Sequence, residues 1–266
     1  YHISIHSIRK QKTHSEKSEI TNPTIKNLTD KWNEQFKSSY ATKHCLILTT
    51  KNKTLLAKTV EKQQQVDVNK LEALENTTNE LISQLHEYNL ELIVSHQLIS
   101  FWASLLNGRD MFVETETYLF DEFITNTDVF FPERKNYFTF ESNDRKQYSC
   151  FLSIKAYPNE LTKNLFKELQ KLNAEFTVYQ HYVAEDISTS TRKIEEQSGR
   201  LNNLAKFNET ALIELSALQE RLSNDETKLF KQVWNIQIFA DSLERLDAKA
   251  LEIKTMIERR KLLLLR

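Results

Sequence analysis

The sequence predicts an α+β fold that is rich in helix, with a mostly antiparallel sheet, a long helix or helical hairpin, and a smaller N-terminal strand–helix–strand unit. Stretches in which apolar and polar residues alternate, as in strands, are separated by stretches with apolar residues at helical spacing. In the second half these elements follow the order strand, helix, strand, helices, strand, helix, which indicates an α+β domain. The 266 residues, 39% of them apolar, can fill one or two cores.

The first 66 residues are expected to form the smaller unit and a mobile connection. Polar residues alternate with isoleucines over residues 1–10 and predict a strand. An Asn-Pro pair at residues 22–23 can begin a helix, because asparagine caps helices and proline suits their first turn. Three residues four apart give this helix an apolar face: Leu28, Trp32 and Phe36. Residues 44–50 predict a second strand, and residues 51–68, which lack periodicity, predict the connection.

Residues 67–266 are expected to form the main α+β domain. Leucines at helical spacing predict a long helix over residues 71–106. This helix should end at Asn107-Gly108, where glycine can take the left-handed conformation that terminates a helix. Residues 110–143, rich in Phe and Thr, indicate short strands around a small helix near residues 118–125.

The second half of this domain contains three further predicted strands and three helical segments. The strands are expected at residues 148–155, 175–183 and 231–240. A helix should cover residues 159–172, and Asp186 or Ser188 can cap a helical segment that runs to about residue 223. Residues 241–244 predict a capping box that begins the final helix, with Glu244 reaching back to the Asp241 N–H.

The segment 188–223 carries a heptad pattern of the coiled-coil type. Spacings of three and four alternate along one seam: Ile194, Gln197, Leu201, Leu204, Asn208, Ala211, Leu215, Leu218 and Leu222. Asn208 can also cap a second helix, so the segment is either one long helix or an antiparallel hairpin. The seam is expected to pack within the chain; an intermolecular coiled coil is the alternative.

Composition excludes several classes of function. The chain has 36 basic and 37 acidic residues, a formal net charge of −1, and so lacks the basic excess of a general nucleic-acid binder. Its two glycines, Gly108 and Gly199, cannot form the phosphate loop G-x-x-x-x-G-K-[ST] or the dinucleotide loop G-x-G-x-x-G. The longest clean apolar run, Leu262–Leu265, is far shorter than the ~20 residues of a transmembrane helix.

No residue pattern predicts a catalytic or metal site, and no cofactor is expected in this chain. Cys45 and Cys150 fall in predicted strands, where free thiols are usually buried. His2 and His6 share a strand face and are expected to be solvated edge residues, with a two-ligand surface metal site as the alternative. The basic residues 259–261, followed by leucines, predict a helix end that enters another domain, with a membrane-surface role as the alternative.

Three stretches resemble the N-terminal domain of the CagE/TrbE/VirB family of type IV secretion ATPases. They are residues 105–109, residues 152–158 with the helix that follows, and residues 239–247, which is similar to the family's "(G/A)DSLEELD" element. The resemblance covers about residues 98–257 well and the first hundred residues loosely. The family-motif positions are Asn107, Gly108, Arg109, Lys155, Tyr157, Pro158, Asp241, Ser242, Leu243 and Asp247.

This resemblance implies a non-catalytic assembly and docking domain of a secretion ATPase. The P-loop of such proteins lies in a separate C-terminal domain, so ATP and magnesium are expected for the parent protein and not for this chain. The expected partners are other copies of the chain, as a hexamer or a dimer-based assembly, and inner-membrane secretion subunits, without direct contact to nucleic acid. The expected location is peripheral, at the cytoplasmic face of the bacterial inner membrane. The alternative is a stand-alone structural coiled-coil adaptor without motor activity.

Overall fold

The computed structural model describes residues 2–11, 26–27, 31, 39–49, 60–113, 127–143, 145–157, 165–202, 209–259 and 262–266. Within these residues the strands are β1 (His2–Gln11), β2 (Tyr40–Thr49), β3 (Asp128–Phe130), β4 (Phe138–Ser142), β5 (Arg145–Ala156), β6 (Glu175–Ala184), β7 (Phe230–Ala240) and β8 (Leu263–Leu265). The helices are α1 (Val60–Gln84), α2 (Ser95–Leu106), α3 (Leu165–Leu169), α4 (Ile187–Asn202), α5 (Glu209–Ser223) and α6 (Leu243–Glu258), with a 3-10 helix at His86–Tyr88. The α+β class is confirmed.

The eight strands form one antiparallel sheet. Seven of them follow the order β2-β1-β6-β7-β5-β4-β3, and β8 pairs with β5. The register places Tyr148 opposite Ala240 and Ser153 opposite Asn235, so β5 and β7 form the central ladder. The two strands expected near the N-terminus are present and lie at one end of this strand order.

The hydrophobic core lies on the face of the sheet that α6 covers. Alternate residues of β5, β6 and β7 point to this face, because side chains alternate along a strand. Helix α6 meets them with residues three and four apart, which share one helix face. The fully or almost fully buried members include Cys150, Leu152, Val178, Ile238, Leu246, Ile253 and Ile257. Burying each large aliphatic side chain contributes roughly 1.5–3 kcal/mol relative to leaving it in water.

The chain divides into two compact units. The first comprises Tyr1–Ser4, Leu46–Thr78 and Gln180–Val233, and the second comprises Ile5–Cys45, Asn79–Tyr179 and Trp234–Arg266. The core described above belongs to the second unit, and α4 and α5 belong to the first. The boundary near residue 66 that the sequence predicts stays a prediction.

Helices α4 and α5 form a hairpin, which settles one alternative that the sequence left open. They pack against each other, so residues 188–223 cannot form a single long helix. At the base of the hairpin the Glu185 N–H donates to the Leu229 carbonyl at 2.9 Å, and the Glu185 carboxylate pairs with Lys193. Asp186 caps α4 by accepting the Thr189 N–H at 2.8 Å.

The stretch predicted as a mobile connection and a long helix differs from that prediction in two places. Helix α1 begins at Val60, so residues 60–68 are helical and not an irregular connection. The helix over residues 71–106 is also interrupted between Gln84 and Ser95. Asn89, with φ 47° and ψ 58°, takes a left-handed conformation that cannot continue a right-handed helix.

The end of the chain corrects two further predictions. The N-cap of α6 is Ser242, whose Oγ accepts the Arg245 N–H at 3.3 Å, and not Asp241. The helix ends at Glu258, and Leu263–Leu265 form β8, so the prediction of a helix running into another domain is wrong. Leu262 and Leu264 are buried in the core, which also excludes them from a membrane surface.

Some predicted elements cannot be compared with the structure. The helix expected near residues 118–125 and the first part of the helix expected at 159–172 lie outside the described residues. Of the helix expected from residue 22, residues 26–27 and 31 are described and are helical. The helix expected at 159–172 is present as α3 and ends at Leu169, three residues earlier than expected.

Candidate functional site

The Asn107-Gly108-Arg109 motif ends α2. Asn107 is buried, and its backbone N–H and side-chain Nδ2 both donate to the Ala103 carbonyl, at 3.0 and 2.8 Å. These hydrogen bonds satisfy the Ala103 carbonyl, which lies in the last turn of α2, where carbonyls have no hydrogen-bond partner within the helix. Gly108 has φ +64°, and a Cβ there would lie 3.0 Å from Phe140 Cδ2 and 3.2 Å from the Gln147 amide. The motif therefore fixes the end of α2 against β4 and β5.

The motif at the end of β5 forms an aromatic contact. Lys155 is exposed, and the ring of Tyr157 stands edge-on to Trp234 of β7, with the ring centroids 5.9 Å apart. Such pairs contribute roughly 0.5–1.5 kcal/mol beyond their burial. Pro158 lies outside the described residues.

The motif at residues 241–247 begins α6 and contacts the chain end. The Asp241 carboxylate pairs with Arg245, and Leu243 packs against the hydrophobic core. Asp247 accepts a hydrogen bond from Arg266 Nη2 at 2.5 Å, directly after β8. These contacts hold α6 in place relative to β7 and β8.

The three motifs do not all converge on one site. The first and third approach each other, because Gly108 lies against Phe140 and the ring centroids of Phe140 and Phe239 are 6.2 Å apart, but the second lies apart from the third. Asp241 follows Ala240, which pairs with Tyr148, whereas Tyr157 lies at the other end of β5. Tyr157 lies nine positions after Tyr148, which corresponds to roughly 30 Å along an extended chain. The motif side chains that the structure describes therefore act as architectural contacts of the second unit, and not as a shared chemical centre.

The face of the sheet opposite α6 carries a polar network that the sequence did not reveal. Tyr179 donates to the Gln237 side chain at 2.7 Å, Gln237 donates to Ser149 Oγ at 3.1 Å, and Ser149 donates to the Ile238 carbonyl at 2.9 Å. Burial raises the pKa of Tyr179 to about 12, so its hydroxyl stays neutral and can donate. The network satisfies buried polar groups, and its members come from three strands that only the sheet brings together.

The cysteines are buried, as predicted, and one predicted histidine environment is wrong. Burial raises the pKa of Cys45 and of Cys150, which disfavours the reactive thiolate form of both. His6 is buried and not a solvated edge residue, because β2 pairs outside β1. Its ring packs edge-on against Tyr179 with the centroids 4.8 Å apart.

The heptad seam lies along the hairpin. Ile194 of α4 and Leu222 of α5 are buried. Leu201, Leu215 and Leu218 are half-buried, Gln197 is exposed, and Leu204 lies outside the described residues. The two ends of the described seam are thus more deeply packed than its middle, and Ile213, off the seam, is exposed.

A groove of about 790 Å³ lies along the outer side of α6, next to α3. Leu172, Leu251 and Met256 line it together with charged residues that include Glu252 and Arg259. Because the charged groups that line the groove are of both signs, carboxylates and a guanidinium, the groove does not resemble a phosphate-binding site. In the described part of the chain, no group of three or more His, Cys, Asp or Glu residues is placed to hold a metal ion.

Residues 83–263, about two thirds of the chain, match the sequence profile of the CagE, TrbE, VirB family, a component of the type IV transporter system. The chain belongs to this family. The CagE/TrbE/VirB match begins at the end of α1 and reaches the start of β8, so it includes the core, the hairpin and all three motifs. The resemblance noted from the motifs is therefore confirmed, and the chain is a type IV transporter component.

Two further observations accompany the family assignment. A search among curated proteins gives no match. None of the helices in the described ranges is both long and apolar enough to span a membrane.

Proposed function

We propose that this chain is a non-catalytic assembly and docking domain of a type IV secretion ATPase. In this proposal it mediates oligomerisation and contacts inner-membrane channel subunits. The observation that carries the proposal is the family match over residues 83–263, in a domain that exposes large apolar side chains on several elements.

The family context extends this proposal to the parent protein. In the parent protein, ATP and magnesium would bind to a P-loop domain that lies C-terminal to this chain. This chain would support that domain structurally. The location proposed is peripheral, at the cytoplasmic face of the bacterial inner membrane. The partners proposed are further copies of the chain and integral subunits of the secretion channel.

Sedimentation velocity across a wide concentration range tests the assembly role. We expect the purified chain to form a discrete oligomer and to hydrolyse no ATP above background. Co-purification with each inner-membrane subunit encoded beside the gene tests the docking role. A monomer at all concentrations that also retains no membrane subunit contradicts the proposal.

The packing of the hairpin bears on the alternative of a stand-alone coiled-coil adaptor. Because Ile194 and Leu222 are already buried, the ends of the seam are not available to a second chain. An adaptor would need the half-buried middle of the seam, around Leu215 and Leu218. A stop codon soon after Arg266 would favour the adaptor, and a downstream G-x-x-x-x-G-K-[ST] motif would favour the motor.

A further inference from the structure

The stretch between α1 and α2 exposes an unusual run of apolar side chains. From Tyr88 to Val94, hereafter the 88–94 segment, every second residue is apolar and exposed: Tyr88, Leu90, Leu92 and Val94. The exposed fractions of Tyr88 and Leu92 are 73% and 62%. A sequence-period of two is the pattern of a strand with one apolar face.

Tyr88 ends the 3-10 helix and Asn89 is left-handed, so the backbone without secondary structure that can become a strand is that of residues 90–94. Asn89 N–H bonds back to His86 and the Val94 carbonyl accepts from Gln97, but no described residue hydrogen-bonds to the backbone of residues 90–93. At Val94 the backbone is extended, with φ −127° and ψ 157°. A segment with a strand-like pattern, whose backbone groups have no hydrogen-bond partner among the described residues, can add to the edge of a sheet.

The chemistry of the segment selects a protein surface over a lipid one. Its backbone donors and acceptors would be unsatisfied among lipid chains, at a cost of several kcal/mol for each group. Glu87 and Glu91 flank and interrupt the apolar residues, and carboxylates are repelled by anionic lipid headgroups. An edge strand with a cationic side chain could hydrogen-bond to the backbone groups of the segment and pair with one of its carboxylates.

The chain itself presents such an edge. Strand β2 is the last strand at one end of the sheet order, and in the described part of the chain no strand pairs with its outer side. It has ten residues, no acidic residue and an exposed Lys43. Strand β3, at the other end, has three residues and carries Asp128. Length and charge therefore favour β2 as the acceptor of an acidic segment.

We propose that residues 90–94 of the 88–94 segment of one copy add as a strand to the outer edge of β2 in a second copy, with Glu91 beside Lys43. This inference rests on the proposed self-association and names the surfaces that carry it. The contact is heterologous, since it joins two different surfaces. Each added copy again exposes one 88–94 segment and one β2 edge, so further copies can add in the same way. The assembly closes into a ring if the rotation between neighbouring copies brings the last copy back to the first.

Two matched aspartate variants test the role of the segment. Leu92→Asp places a charge in it, and Leu251→Asp is the control, because Leu251 is 66% exposed on α6 and lies outside both surfaces. Sedimentation velocity should show self-association weakened about tenfold or more by Leu92→Asp and unchanged by Leu251→Asp. Circular dichroism checks that both variants are folded.

Charge reversal tests the acceptor strand. Glu91→Lys and Lys43→Glu should each weaken association a few-fold, and the double variant should recover it, because the pair is attractive again. Hydrogen exchange should show concentration-dependent protection of residues 90–94 and of β2. Protection of β3 instead, or no recovery in the double variant, refutes β2 as the acceptor.

The outcomes separate this inference from the proposed function. A chain that remains monomeric at every concentration refutes this inference and the oligomerisation part of the proposed function, whereas co-purification with membrane subunits tests the docking part separately. A chain that associates equally well with Leu92→Asp refutes only the surface proposed.

Discussion

Replacing each of the two glycines by alanine should change stability in opposite directions. Gly108→Ala is expected to destabilise the second unit by about 2–5 kcal/mol. Gly199→Ala is expected to stabilise α4 by about 0.5–1 kcal/mol. Both substitutions add one methyl group, so the difference between their effects on stability reports the local environments of the two glycines.

The magnitudes follow from the geometry. A non-glycine residue in the left-handed region costs about 1–2 kcal/mol, and Gly108 has φ +64°. Its new Cβ would also lie 3.0 Å from the buried ring of Phe140, which must shift by a few tenths of an ångström. Crowding of this kind costs typically 1–3 kcal/mol. At Gly199 no atom lies within 4 Å of the added Cβ, and alanine is the better helix former.

Thermal and urea unfolding measure both effects. For a chain of this size each kcal/mol shifts the melting temperature by roughly 2–4 °C. Circular dichroism follows helix content, and hydrogen exchange assigns the change to α2 or α4. Equal stability of Gly108→Ala and the parent chain would refute the left-handed helix end and its contact with Phe140.

Three further predictions test the core, a cap and a titration. Ile253→Ala, at a fully buried position of α6, should cost about 2–5 kcal/mol in urea unfolding. Ser242→Ala should cost about 0.5–2 kcal/mol, and more than Asp241→Ala, because Ser242 is the N-cap. Hydrogen bonds from Ser188 and from the Thr189 N–H lower the pKa of Asp186 to about 2. Because the folded pKa is lowered, the cap stabilises α4 above pH 4 and is lost as the pH falls towards 2. NMR titration of the Asp186 carboxyl should give this pKa, and a value near 4 would contradict the cap.

Much of the fold could be predicted from the sequence because it depends on local pattern. The strands at residues 148–155, 175–183 and 231–240 were predicted within a few residues of β5, β6 and β7. The helix end at Gly108 was predicted from the conformational freedom of glycine. These features depend on residues that are close in the sequence.

The candidate surfaces were harder to predict. The motif residues gave the family, but their contacts, such as Tyr157 with Trp234 and Asp247 with Arg266, join positions far apart in the chain. The 88–94 segment was hidden within a predicted helix, since Leu92 also fits the helical spacing of the leucines that precede it. Its break at Asn89 depends on a backbone conformation that asparagine permits but does not impose.

The sequence by itself determined the class of fold, most strand positions and the family, because periodicity, caps and short motifs are local properties. Tertiary structure alone decided which secondary structure is formed by segments whose sequence suits both a helix and a strand. Residues 262–265 are four leucines. Because no polar residue interrupts them, they show neither helical nor strand periodicity and suit either element equally. They form β8 because β5 offers an unpaired edge there, with the Leu264 side chain directed into the core and the neighbouring leucines left in solvent.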